Sequence, residues 1–176
     1  MRFVPTKIDA VWTTEVDPLR DERGLFARVW CEHEFLQLGI ATNVSQCSLA
    51  WTQCAGTVRG LHFQQHPHWE EKVVRCVRGS AFVVAVDLRV GSPTHRAWVG
   101  VELTAENRRA IVVGQGCAQG YQTLSDDTEL LYQMSKPYCQ PTAAGYRFDD
   151  PAFQIQWPMA ATIVSEKDRT WEPYQR

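Results

Sequence analysis

Three residues have side chains and neighbourhoods suited to proton chemistry: His62, Lys72 and Tyr132. His62 lies in Arg59-Gly60-Leu61-His62-Phe63-Gln64, between apolar neighbours and close to an arginine. Imidazole gains and loses a proton near neutral pH, which makes a histidine in such a setting a candidate general base. A lone histidine on a strand is nevertheless more often a structural hydrogen-bonder. Lys72 stands just before the apolar run VVRCV, and Tyr132 sits inside Leu130-Leu131-Tyr132-Gln133. Taken singly, Lys72 reads as a strand-edge cation and Tyr132 as a core ring with its hydroxyl at the surface. Taken together they offer a base, a cation and a phenol.

Metal chemistry is the competing reading. The histidines are His33, His62, His66, His68 and His95. His66-Pro67-His68 imitates a ligating H-x-H, with Glu70 and Glu71 close behind. Pro67, however, breaks strand alternation, so the two rings need not share a face. No histidine follows position 95 to close a coordination sphere from a later strand. Carboxylates remain as ligands in principle, but the expectation is a polar turn after a strand and no catalytic metal.

The elements that must position these groups are β-rich. Residues 73–86 read VVRCVRGSAFVVAV, two β-type runs split by Arg78-Gly79-Ser80, which predicts a hairpin. Further runs cover 98–103, 109–113, 120–124 and 129–134. Turn signals separate them at Gly91-Ser92-Pro93, Gly114-Gln115-Gly116 and Ser125-Asp126-Asp127. Strands at such short, regular spacing predict an all-β sandwich or barrel. Helical signal is confined to short segments at 32–38 and 165–168, and the tail beyond Trp157-Pro158 reads as an arm packed on the body. A chain of 176 residues, 44% apolar and 22% charged, fits one globular domain with a real core.

Composition excludes several function classes. The net charge is −2, and Lys and Arg are scattered without a basic stripe, so no nucleic-acid partner is expected. No apolar run approaches the ~20 residues that span a bilayer, and no membrane partner is expected. MRFVPTKIDAVW has no apolar h-region or small-residue cleavage site, so no signal peptide is read. The cysteines, Cys31, Cys47, Cys54, Cys76, Cys117 and Cys139, form no C-x-x-C pair and read as reduced cytoplasmic thiols, mostly core fillers. Trp51 and Trp69 flank the His62 segment but are read as core or interface anchors.

The order of segments resembles the dTDP-4-dehydrorhamnose 3,5-epimerase family over nearly the whole chain. The resemblance is carried by DERGLF (21–26), GTVRGLHFQ (56–64), EKVVRCVRG (71–79), VDLRVGSPTH (86–95), VGVELTAENRR (99–109), TLSDDTELLYQMS (123–135), DDPAFQIQWP (149–158) and SEKD (165–168). It implies a jelly-roll cupin body over 1–176, closed by Trp157, that uses neither metal nor other cofactor. It also implies a cytoplasmic homodimer whose N-terminal arm packs on the partner subunit, acting on a nucleoside-diphosphate 4-keto-6-deoxyhexose. By position His62 is similar to the family's base, Asp168 to the carboxylate that orients it, and Tyr132 to the opposing acid. Arg59 and Lys72 match residues near the sugar carbonyl and the diphosphate. Arg23 matches a phosphate-binding arginine in the exchanged arm, where Phe26 also falls. Lys167 and Gln46 match ligand contacts, and Tyr138 matches an aromatic beside the nucleobase.

These types suit inversion beside a ketone. His62 takes the proton, Asp168 fixes its tautomer, and Lys72 faces the oxygen on which charge develops. Tyr132 returns a proton from the opposite face, with a phenol pKa of ~10 that a nearby cation is expected to lower. The substrate-reading shell departs from the family pattern. Gln119 stands in Gly116-Cys117-Ala118-Gln119-Gly120-Tyr121 where a histidine is usual, and Val83 where an inward carboxylate is usual. Arg28 and Ala143 replace glutamates, and Ser48 and Ala50 replace Asn and Ser. Glutamine can donate and accept hydrogen bonds but cannot carry a proton. Three readings follow: a 3,5-epimerase with a rewired pocket, an epimerase of one carbon or of another nucleotide sugar, and a non-catalytic cupin that binds a nucleotide sugar.

Overall fold

Alternation of buried and exposed positions builds strands through most of the chain; 46–52, for example, turns every second residue inward. A computed structural model describes residues 1–40 and 43–175. The elements are β1 (Arg2–Pro5), β2 (Val11–Glu15), β3 (Leu19–Asp21), β4 (Gly24–Phe26), α1 (Glu32–Leu36), β5 (Gln46–Thr52), β6 (Thr57–Gln64), β7 (Lys72–Arg78) and β8 (Ser80–Asp87). There follow β9 (Trp98–Thr104), β10 (Ala110–Val113), β11 (Cys117–Thr123), β12 (Thr128–Met134), β13 (Ala143–Gly145), β14 (Ile163–Val164) and α2 (Glu166–Arg169).

One sheet has the order β1-β2-β10-β7-β12-β5 and the other β13-β6-β11-β8-β9, with β14 beside β6. Within these, β10-β7-β12-β5 faces β6-β11-β8-β9, the strand order of a jelly roll. The main core lies between them: Val11, Val74, Ile111 and Leu130 from the first sheet meet Ala81, Val83, Leu103 and Tyr121 from the second. The expected all-β sandwich with a few short helices is what forms.

The predicted hairpin at Arg78-Gly79-Ser80 does not form. β7 pairs with β10 and β12, whereas β8 pairs with β9 and β11. Gly79, at φ +72°, turns the corner from one sheet to the other, and a Cβ there would lie 2.7 Å from Ser125 Oγ and Thr128 Oγ1. A run of β-formers on each side of a glycine does not reveal whether the chain folds back on itself or crosses the core.

The outer faces are covered unequally. The 28–40 segment, with α1 and Phe35, packs with Phe3, Trp12 and Trp30 on β10 and β7. Arg75, buried on that face, donates to the carbonyls of Val29 and Arg108. The helix stops short of the expected residue 38 because the Leu38 N–H closes a tight turn onto Phe35 O at 3.0 Å. The tail covers the second sheet, where Trp157 packs edge-on to Phe82 beside Phe153, Tyr146 and Tyr174. Trp157 therefore caps an outer face; it does not fill the space between the sheets. Only Cys76 and Cys117 are core fillers, burial raising their thiols to about 11 and about 12; Cys47 is exposed, and Cys31, Cys54 and Cys139 are half-buried.

Candidate active site

The cavity is opened by a bulge. Gln119 on β11 pairs with His62 on β6, but Tyr121 pairs with Arg59, so three steps on β6 oppose two on β11. This offset lets Arg59 and His62, an odd number of residues apart, line the same cavity. The strands can come this close because residue 60 is glycine: at φ +123°, a Cβ would meet Gly120 Cα at 2.6 Å.

The cavity measures about 380 Å³, within the ~300–1,000 Å³ usual for small-molecule sites. Arg59, His62 and Gln119 line it from the second sheet, and Gln46, Ser48, Lys72 and Tyr132 from the first. Tyr138, from the segment after β12, and Lys167, from α2, also line it. His62 and Tyr132 thus stand on facing sheets around one space, with Lys72 on the same wall as Tyr132. Ala50 and Ala143 also line it, small where the family pattern is polar.

The imidazole is held from behind. His62 Nε2 lies 2.6 Å from Asp168 Oδ1, and Asp168 also accepts from the Gly60 N–H at 3.2 Å and from Trp171 Nε1 at 3.2 Å. Burial opposes the Asp168 charge, but these donors outweigh it and hold the carboxyl below its usual range. An ionised Asp168 can only accept, so His62 Nε2 is the donor of this pair, which in the neutral imidazole leaves Nδ1 as the acceptor. Ser165 caps α2 by accepting from the Asp168 N–H at 3.1 Å, which sets the carboxylate under β6.

Tyr132 behaves differently from the sequence expectation. Burial drives its phenol far above the ordinary value, and the Tyr121 phenol adds to this; Gln119 and Arg59 push the other way and lose. The nearby cation therefore does not produce a low phenol pKa, and Tyr132 stays protonated across the neutral range, as a proton donor must. Gln119 is 4% exposed, and its Nε2 makes no hydrogen bond of good geometry, although its side chain lies near enough to Tyr132 to favour the phenolate. Val83 is on the same inner face but directly opposite Tyr121; Gln119 faces Ala85.

Not every anticipated residue reaches the cavity. Arg23 and Phe26 lie on the β3–β4 hairpin, 84% and 75% exposed, away from His62. Arg28 pairs with Glu34 at 2.9 Å. His68 follows a turn in which its N–H donates to Gln65 O, and His66 packs against Trp69. Trp51 and Trp69 do not line the cavity. Sequence reasoning missed Trp171, Tyr121 and Glu70, all of which do. Trp171 stacks edge-on to His62 and lies under Lys167 Nζ at 5.2 Å. The only available signal was the WEEK run for Glu70.

A jelly roll that gathers an imidazole–carboxylate pair, a phenol and an ammonium around one cavity holds the parts of an acid–base site. The chain belongs to the dTDP-4-dehydrorhamnose 3,5-epimerase family, whose pattern matches residues 5–176. A dTDP-4-dehydrorhamnose 3,5-epimerase of Sinorhizobium fredii is 44% identical over 149 residues, 84% of this chain and 76% of the relative. A dTDP-4-dehydrorhamnose 3-epimerase of Streptomyces niveus is 36% identical over 170 residues, covering 96% and 82%. The crystal structure of dTDP-4-dehydrorhamnose 3,5-epimerase from Elizabethkingia anophelis superposes with a TM-score of 0.96 at 32% identity, covering 99% of this chain and 96% of that one.

Proposed function

We propose that this protein epimerises a dTDP-linked 4-keto-6-deoxyhexose by removing and returning a proton beside the ketone. The observation that carries this reading is the single cavity in which His62, backed by Asp168, and the phenol of Tyr132 line facing sheets. His62 Nδ1 takes the proton; Asp168 favours the imidazolium that results. The electron pair moves onto the C4 oxygen, where the Lys72 ammonium stabilises the enolate. Tyr132 protonates the carbon from the other face. Electrons return to the carbon they left, so no electron acceptor is required.

Arg59, Lys167, Tyr138, Gln46 and Ser48 serve as the diphosphate-, nucleobase- and sugar-binding shell. Arg23 and Phe26 complete the site of a second copy in a homodimer. Gln119 favours a narrower second reading, inversion at one carbon: it stands beside Tyr132 and cannot relay a proton.

Proton NMR of the keto sugar in deuterated water tests both. Wild-type protein should wash deuterium into C3, C5 or both, and His62→Asn should reduce the rate by about 10²–10⁴-fold. Exchange at both carbons selects the 3,5-reading and exchange at one selects the narrower reading. Normal exchange in His62→Asn removes His62 as the base.

A further inference from the structure

Beside the cavity lies a carboxylate that neither proton transfer uses. Glu70 Oε1 is 3.1 Å from Lys72 Nζ, and the two side chains are only 10% and 13% exposed. The other Glu70 oxygen accepts from Gln64 Nε2 at 3.2 Å. Gln64, 5% exposed, is in turn fixed: its Oε1 accepts from the Cys139 N–H at 2.7 Å and its Nε2 donates to Pro137 O at 3.3 Å. Gln46 holds the intervening residue by accepting from the Tyr138 N–H at 3.0 Å. A continuous set of contacts therefore runs from the segment bearing Tyr138 to the ammonium beside His62.

Lys72 needs such an anchor. Its flexible four-carbon stem carries a point charge with no preferred plane. Its other polar contact is one long hydrogen bond, Nζ to His62 O at 3.5 Å. Across β7's two neighbours it faces Val113 and Met134, neither of which can hold a charge. The remaining charged groups on the cavity wall, Arg59 and Lys167, repel it.

We propose that Glu70 is a positioning residue that fixes the Lys72 ammonium at the place where oxyanion charge develops. This rests on the reading of the site given above. Glu70 acts through Lys72, and the Gln64 clamp ties that placement to the wall that carries Tyr138. A neutral isostere at position 70 keeps an acceptor for Gln64, and with it the Tyr138 wall, so loss of the charge acts on turnover more than on affinity.

A double-mutant cycle with a crystal structure tests this. Glu70→Gln keeps the shape and an acceptor for Gln64 but removes the charge. It should lower kcat roughly 10- to 100-fold, the usual cost of misplacing a catalytic group by an ångström or of removing its outer support, with KM little changed. Starting from Lys72→Met, whose residual deuterium exchange is followed over long incubations, adding Glu70→Gln should change the rate less than about twofold, because the group it positions is gone. In the Glu70→Gln crystal Nζ should leave its place beside His62 O. Glu70→Asp should recover part of the rate.

Equal effects of Glu70→Gln in both backgrounds, or a rise in KM with kcat intact, would overturn the proposal. So would a Glu70→Gln crystal with Nζ unmoved, a result that needs no turnover. If wild-type protein exchanges no deuterium, the epimerase reading fails and the crystal alone decides whether Glu70 places Lys72. The two failures are thus distinct.

Discussion

Asp168 keeps its charge against burial because three donors converge on it: the His62 ring, the Gly60 amide and the Trp171 indole. Its lowered pKa has a stability consequence of definite sign. A carboxyl whose folded pKa lies below its unfolded value of ~3.9 stabilises the fold above that value, and the contribution is lost as pH falls through the folded pKa. Asp87, fully buried and bonded to Arg89, Ser92 and Thr94, is depressed in the same sense. Melting temperature should therefore fall from about pH 4 downward, and more shallowly in Asp168→Asn. The same variant should lose roughly 10²–10⁴-fold in kcat, since a neutral amide neither fixes the tautomer nor stabilises the imidazolium. Thermal melts across acidic pH and NMR rates at neutral pH check the two halves separately; an Asn variant with wild-type kcat would remove Asp168 from the mechanism.

At the scale of elements, β6 decides whether a site exists. His62, Lys72 and Tyr132 were legible as candidates because each interrupts an apolar strand with a chemically active group. Their convergence was not, since a pattern of alternation cannot show which strands face one another. The run on either side of Gly79 illustrates this: its β character is plain, but its division between two sheets depends on partners far along the chain. Asp168 is 106 residues from His62 and became visible only through family resemblance. Glu70, Tyr121 and Trp171 escaped because their placement depends on the β6 bulge and on the docked tail. The bulge itself depends on Gly60. Gly60→Ala combines positive φ with a contact to the Gly120 backbone that cannot yield, and should cost at least about 1–3 kcal/mol of stability. It should also cost activity beyond that loss, because Arg59 and His62 would no longer share a face. Denaturant unfolding alongside exchange kinetics checks both; a stable, fully active Ala variant would show that the close approach is not needed.

At the scale of the whole molecule, the two outer faces pose unequal problems. The second sheet is roofed by Trp157, Phe153, Tyr146 and Tyr174, and half of the first is roofed by α1 and its neighbours. Among the described residues the other half is left uncovered: Leu49 and Trp51 on β5 and Val77 on β7 are 59%, 51% and 43% exposed on one face. The separate β3–β4 hairpin carries Leu19 and Phe26, 73% and 75% exposed, with Arg23 at its tip. Exposed apolar surface is the kind that interfaces cover, and a two-fold axis would let one patch cover its own copy. The expected assembly is a homodimer in which the hairpin of one subunit reaches the cavity of the other. Leu49→Arg puts a charge into this patch on both copies and should shift the mass seen by light scattering from two chains to one, with β-sheet circular dichroism retained. If the hairpin supplies Arg23 in trans, the monomer should also bind dTDP more weakly, and Arg23→Ala should weaken binding in the dimer without changing its mass. A wild-type mass of one chain, with dTDP affinity unaffected by Arg23→Ala, would leave the hairpin with no part in the site.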